Sequence, residues 1–329
     1  MKGSQRNTRI RNLLMILVLS LIVAGCGLSF SSSPKTVVDY FGREIAVPEK
    51  VERIFSTYYV QAEYLCAMGA RDKIIGVGRI YANDYIIENF CPEVYDLPQI
   101  AQGGLNLESL VEMQPDIVLT SNNMEQIESI ENLGIPVFGS FPDSTELIFQ
   151  QIMDTGVIAG YEKQARQIVD FQQDLLDKVD AVVGDLSEDQ RPGVYYLRDE
   201  ALQTQGKGVM SDIIARAGGR NVAEQLGESG EPVMVSMENI YDWNPDIIII
   251  RDRSVLTPQD VYNDPLWASI NAVKNQQVYQ EHYGWTEFRT ETIFGILEKA
   301  KWFQPDLFAS LDVDAEYQSF LELIQSFYE

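Results

Sequence analysis

Short apolar runs alternate with longer amphipathic stretches along most of this chain, the rhythm of strands and helices in a parallel α/β sheet. Residues 53–56, 74–77, 117–119 and 135–138 read as strands, separated by helix-period stretches at 60–68, from Glu108 onward, and at 124–133. Ahead of them, residues 36–48 alternate and turn at Gly42, as a hairpin would. From Thr145 to about Leu186 the helical periodicity runs too long for an ordinary helix and contains Gly156 and Gly160. It predicts a helix, a break, and then a longer helix whose apolar stripe includes Leu175, Leu176, Val179, Val182 and Val183. The rhythm then restarts. Residues 193–197, 247–250 and 277–279 read as strands, and 209–217, 238–243 and 291–303 as helices, the second helix of the three leading directly into Ile247–Ile250.

One construction occurs twice. Asn106-Leu107-Glu108 leads through Gln114-Pro115-Asp116 into Ile117-Val118-Leu119, and Ser236-Met237-Glu238 leads through Asn244-Pro245-Asp246 into Ile247-Ile248-Ile249-Ile250. Asn106 and Ser236 suit helix N-caps. Glu108 and Glu238 then fall in a first helical turn, where the macrodipole favours a negative charge. That accounts for either glutamate alone. The recurrence of the whole unit predicts two similar α/β halves, and Pro-Asp followed by an aliphatic run predicts a buried parallel strand in each.

The N-terminus belongs to a different physical class. Lys2, Arg6, Arg9 and Arg11 precede an apolar stretch at residues 13–23, too short to span a membrane comfortably as a mature helix, and Leu21-Ile22-Val23-Ala24-Gly25-Cys26 follows. Small residues before a cysteine resemble a bacterial lipoprotein signal, which implies cleavage before Cys26 and lipidation of that residue. The alternative is a signal anchor with an incidental cysteine. Residues 27–34 read as a flexible tether. Five segments are therefore expected: a signal peptide (1–25), the lipidated cysteine and tether (26–35), an N-terminal α/β lobe (36–144), a helical connector (145–187) and a C-terminal α/β lobe (188–329).

Charge narrows the partners. The 329 residues carry 25 Lys+Arg against 49 Asp+Glu, a formal charge of −24, and removal of the signal takes four cations and no acid. Such a chain does not bind nucleic acid through phosphates, nor adsorb to anionic lipid, so membrane attachment rests on the lipid alone. Cys66, in the apolar stretch 62–68, reads as a buried free thiol; pairing with Cys91 stays open, because an extracytoplasmic location permits it. These two cysteines and the single His282 are too few for a structural zinc site, and no resident cofactor is expected. Gly206-Lys207-Gly208 is not a phosphate loop, since Val209 stands where Ser or Thr is required. The absence of a Gly-x-Ser-x-Gly elbow, with one histidine in the chain, argues against an enzyme.

With these elements in place the chain resembles the substrate-binding proteins of ABC importers, and more narrowly the iron-siderophore, haem and cobalamin binding family. The stretches that carry the likeness are Asp39-Tyr40-Phe41-Gly42-Arg43-Glu44-Ile45, Met68-Gly69-Ala70-Arg71-Asp72-Lys73-Ile74-Ile75-Gly76-Val77, both Glu-to-Pro-Asp units, Leu133-Gly134-Ile135-Pro136-Val137, Ala217-Gly218-Gly219-Arg220-Asn221-Val222 and Trp267-Ala268-Ser269-Ile270-Asn271-Ala272-Val273-Lys274-Asn275. The resemblance implies two Rossmann-like lobes with mostly parallel sheets, joined by one long spine helix, with the ligand cleft between them. It also implies that Glu108 and Glu238, one at each lobe tip, pair with arginines on the two halves of a permease dimer served by ATPase subunits.

Sheets of this kind bind ligands beyond the carboxyl ends of their strands, so cleft residues are sought there. Tyr58, Tyr59, Arg79, Tyr81 and Asn122 in the first lobe, and Arg198, Arg251, Tyr283, Trp285 and Arg289 in the second, are the candidate ligand contacts. Arginine neutralises a carboxylate or catecholate-iron anion, and aromatic side chains offer flat surface to a chelate. The expected protein is a monomeric, lipid-anchored binding component on the extracytoplasmic face. It would capture an iron(III)-siderophore-type chelate, with cobalamin, haem or an oxyanion such as molybdate as alternatives, and a ligand-sensing lipoprotein without transport as a more distant one. A single spine helix predicts modest lobe closure, and Trp285 is expected to face the cleft.

Overall fold

The computed structural model describes residues 35–78, 84–99, 105–121, 123–285 and 288–329. Strands β1 (Thr36–Val38) and β2 (Glu44–Ala46) form the predicted antiparallel hairpin, with Gly42 in the left-handed region at its turn. β3 (Ile54–Ser56), β4 (Ile74–Val77), β5 (Ile117–Thr120) and β6 (Val137–Gly139) make a parallel sheet in the order β4-β3-β5-β6. β7 (Gly193–Leu197), β9 (Arg220–Asn221), β11 (Ile247–Ile250) and β12 (Val278–Gln280) make a second in the order β12-β11-β7-β9. β8 (Gln203–Gln205) and β10 (Pro232–Met234) pair as a small antiparallel ribbon beside it. The inner strands β5 and β11 are buried along their whole length, which is why their sequences are continuous aliphatic runs without alternation.

The duplicated unit folds the same way twice. Each copy is a seven-residue helix, Leu107–Met113 and Met237–Trp243, whose N-cap side chain accepts from a backbone N–H (Ser109 N to Asn106 Oδ1 at 3.0 Å, Asn239 N to Ser236 Oγ at 3.2 Å). Each exits through a left-handed capping residue, Gln114 (φ 47°) and Asn244 (φ 40°), ahead of a proline that disfavours right-handed helix in the residue before it. The aspartate that follows then pins the strand start. Asp116 Oδ2 accepts from Glu52 N and Arg53 N at 2.8 and 2.9 Å, and Asp246 Oδ2 accepts from Gly193 N at 2.9 Å. Each aspartate N–H also donates to the adjacent segment at 2.8 Å, Asp116 N to Arg53 O and Asp246 N to Gly193 O. The Pro-Asp pair thus sets the register of the central strand against its neighbour in both sheets.

Between the sheets run two helices, Thr145–Ala159 and Glu162–Val183. The break falls at Gly160 in the left-handed conformation (φ 78°), while Gly156 stays helical. A Cβ at Gly156 would stand 2.4 Å from Ala165 Cβ, so this glycine lets the two helices pack closely. The 22-residue helix spans about 33 Å at 1.5 Å per residue and buries a stripe through Ala165, Ile168, Gln172, Leu175, Leu176, Val179 and Val183.

Two features depart from the sequence expectations. Cys66 is not a free thiol: it is bonded to Cys91, with their Cα atoms 5.9 Å apart. The Tyr59–Ala67 helix and the turn after Tyr85–Phe90 bring the two sulfurs together, a proximity no local pattern encodes. The chain also ends in an unanticipated helix, Val313–Gln325. Its Tyr317 and Phe320 pack on Trp285, Phe294 and Phe171, after which Tyr328 returns to the first half, stacks on Phe90 and donates to Cys66 O.

Candidate functional site

The loops that leave the carboxyl ends of the two sheets meet. From the first sheet, β3 ends at Ser56, whose hydroxyl donates to Tyr58 O at 2.7 Å, while Thr57 Oγ1 bonds Thr120 Oγ1 at 2.6 Å across β3 and β5. This presents Tyr58 and Tyr59 edge to face, ring centroids 5.3 Å apart. In the second sheet Leu197 and Ile250 are register partners, and Arg251 N donates to Leu197 O at 2.9 Å, so Arg198 and Arg251 emerge side by side.

Arg253 crosses the gap. Its guanidinium lies 5.8 Å from the ring centroids of both Tyr59 and Tyr283, and its Nη2 stands 3.5 Å from the Tyr59 hydroxyl. A second crossing is apolar: Phe141, after β6, packs on Phe288 with centroids 5.1 Å apart and sits against Gly230, where a Cβ would approach its ring to 2.9 Å. A half-buried cation between two tyrosines, flanked by further arginines, is an environment for an anionic, flat-faced ligand.

Beneath this layer lies a buried ionic seam. Arg289, only 1% exposed, donates through Nη1 to Glu63 Oε2 at 3.0 Å and Asp84 Oδ2 at 2.7 Å, and its guanidinium lies 5.2 Å below the Tyr59 ring. Thr290 donates to Glu63 through both N–H (2.8 Å) and hydroxyl. Gln172 of the long helix donates to Thr290 O at 2.8 Å, and the Tyr64 hydroxyl donates to Phe288 O. With Glu291, three buried carboxylates face one guanidinium. Burial, reinforced by neighbouring carboxylates, holds Glu63 well above the usual range and Glu291 at about 7. At neutral pH the seam therefore retains a proton to limit its negative charge.

The ten sequence-selected ligand residues are thus sorted by the fold. Tyr58, Tyr59, Arg198, Arg251 and Tyr283 stand at the strand-end loops. Arg198 donates to Gln205 Oε1 at 3.0 Å, its buried Nε has no hydrogen-bond partner among the described residues, and Arg251 pairs with Asp199 at 3.3 Å. Arg289 lies below, in the seam. Trp285 does not present an open face: it is 5% exposed, stacked on His282 and packed on Phe294 and Tyr317. Arg79, Tyr81 and Asn122, together with Cys26, lie outside the described residues. Glu63 and Asp84 escaped sequence reasoning, although an acid inside the apolar run Ala62-Glu63-Tyr64-Leu65-Cys66 was a usable sign of a buried pair.

Glu108 and Glu238 are exposed at the first turns of their twin helices, and neither has an ion-pair partner among the described residues. No helix among the described residues is long and apolar enough to cross a membrane.

Two parallel sheets facing each other through their strand-end loops, with a cationic and aromatic layer between, define a two-lobed solute-binding protein. A family model described as periplasmic binding protein matches residues 54–282, and the chain belongs to that family, the non-catalytic binding components of ABC importers. It is 25% identical to the molybdate-binding protein MolA of Haemophilus influenzae, with 93% of each chain covered. It is also 25% identical to the uncharacterized ABC transporter substrate-binding lipoprotein YvrC of Bacillus subtilis, covering 89% of this chain and 96% of that one. Among solved structures, Helicobacter pylori CeuE in a nickel–histidine complex superposes with a TM-score of 0.77 at 23% identity, over 89% of this chain and 95% of the other. That likeness is one of fold.

Proposed function

We propose that this importer component captures an iron(III)-siderophore-type chelate between its two α/β lobes (36–144 and 188–329, with 145–187 as connector). In this reading Tyr58, Tyr59, Arg198, Arg251, Arg253 and Tyr283 supply the contacts from described residues, and Arg79, Tyr81 and Asn122 complete the cleft. Arg289 and Trp285 support the site from below. The observation that carries the reading is Arg253 suspended between Tyr59 and Tyr283, a cation with two aromatic faces suited to an anionic chelate. Likeness to a molybdate-binding relative supports a second reading, an oxyanion cargo gripped by the same arginines.

Titration calorimetry against ferric catecholate and hydroxamate siderophores, cobalamin, haemin and molybdate tests the choice. A ferric siderophore should bind most tightly, and Arg253→Ala should weaken it at least tenfold. Binding of molybdate alone would instead establish the oxyanion reading.

Delivery follows from the tips. Glu108 and Glu238 dock as carboxylates on arginines of a permease dimer coupled to ATPase subunits, through charge-assisted and often bidentate hydrogen bonds. The protein acts as a monomer on the extracytoplasmic face, held there by lipid on Cys26; the lipoprotein relative from Bacillus subtilis supports this anchoring. Reversal of both glutamates to arginine should abolish uptake and leave ligand affinity unchanged. Uptake that survived the double reversal would refute the docking role, and release of Cys26→Ala from the membrane fraction would verify the anchor.

A further inference from the structure

The twin helices share more than their glutamates. In Leu107–Met113 the residues Glu108, Val111 and Glu112 are exposed around a buried Leu110. In Met237–Trp243 the equivalents Glu238, Tyr241 and Asp242 are exposed around a buried Ile240. Spacings of three and four residues put each trio on one helix face. Each half of the molecule therefore offers an apolar side chain bracketed by two acids, at structurally equivalent places.

A single exposed apolar residue is ordinary on a protein surface. The same pattern in both copies of a duplicated unit is a shared surface design. Val111 is 47% and Tyr241 42% exposed, and Leu266, 55% exposed, extends the second patch. The Tyr241 hydroxyl donates to Leu266 O at 2.8 Å, which fixes the ring on the surface. None of the four carboxylates has an ion-pair partner among the described residues.

We propose that the docking contact is two composite patches, Glu108–Val111–Glu112 and Glu238–Tyr241–Asp242 with Leu266, each seating an apolar knob in a cation-rimmed socket on one half of a two-fold permease. The inference rests on the docking role of Glu108 and Glu238 and extends it. The acids supply steering and register, which salt screens. The knobs supply desolvated contact, which salt does not screen, and tyrosine is the stronger anchor of the two. The patches are therefore unequal, and the C-terminal one holds the partner longer.

The test measures binding of the lipid-free protein to its cognate permease–ATPase complex in nanodiscs at several salt concentrations. Val111→Ala with Tyr241→Ala should weaken binding at least tenfold, mainly through faster dissociation, and keep the wild-type salt slope. Tyr241→Ala alone should cost more than Val111→Ala alone, and Tyr241→Phe should retain most of the binding. Glu108→Gln with Glu238→Gln should weaken binding and flatten the salt slope. All are exposed positions, so unchanged thermal unfolding verifies the fold. Wild-type affinity in the apolar double variant, with loss in the glutamine variant, would overturn the knobs and leave docking intact. Wild-type affinity in both would overturn docking and the knobs together.

Discussion

Two groups of carboxylates in this molecule have opposite surroundings. Glu63, Asp84 and Glu291 are buried and answered from within the chain by one arginine, one threonine and a retained proton. Glu108, Glu112, Glu238 and Asp242 are exposed, on short capped helices, without ion-pair partners among the described residues. The first group ties the two halves and the long helix together, because a buried charge must find its counter-charge inside the fold. The second group contributes little to that fold, and its electrostatic reach points outward. Carboxylates with internal answers hold the structure, and those without are available for recognition.

Removing the internal answer gives the largest expected effect. Arg289→Met leaves buried carboxylates unpaired and should cost about 3–5 kcal/mol of unfolding free energy, measured by urea denaturation. Glu108→Gln in the same assay should stay within about 0.5 kcal/mol of wild type. Equal costs would erase the distinction between the two groups.

The disulfide braces the same seam, since Cys66 lies in the last turn of the helix that carries Glu63 and Cys91 closes the helix capped by Asp84. Cys66→Ala with Cys91→Ala should lose about 2–4 kcal/mol relative to the oxidised, disulfide-bonded wild type, and reduced wild type should show a comparable loss.

Proton retention sharpens the comparison further. Burial holds Glu291, and separately Glu298, at about 7 in the folded protein, above the ordinary value of 4.5. Between those values the folded state keeps a proton that the unfolded state has released, so stability falls as pH rises through that window. Melting temperature should therefore decline from about pH 5 to pH 7, and Glu291→Gln should flatten part of the slope. A melting temperature that rises across this range would refute the retained proton.

The smallest expected effect is one of shape. The seam joins Arg289 and Thr290 to Glu63 and Asp84, and Gln172 anchors the long helix to Thr290. Ligand binding should accordingly leave the scattering-derived radius nearly unchanged, and a large contraction would show that the seam is open in the free protein.

Much of this architecture is legible in local pattern. The aliphatic runs at Ile117–Thr120 and Ile247–Ile250, the hairpin at Gly42, the helix break at Gly160 and the twin capped helices all follow from short-range rules of periodicity, capping and proline sterics. Those rules act within a few residues, so the chain states them directly. The candidate site is legible only in part. Position at the strand ends singles out Tyr59 and Tyr283, but it places Arg289 and Trp285 beside them, since sequence spacing does not reveal burial.

What the sequence by itself determined is the α/β rhythm, the duplicated unit with its Pro-Asp strand locks, and the pair of acidic helix starts. Tertiary structure alone decided that Cys66 meets Cys91, that Arg289 turns inward to Glu63 and Asp84, that the last helix folds back on Trp285, and that Arg253 reaches Tyr59. Each of these joins residues far apart in the chain. Their energy depends on burial and proximity, which exist only once the chain has packed.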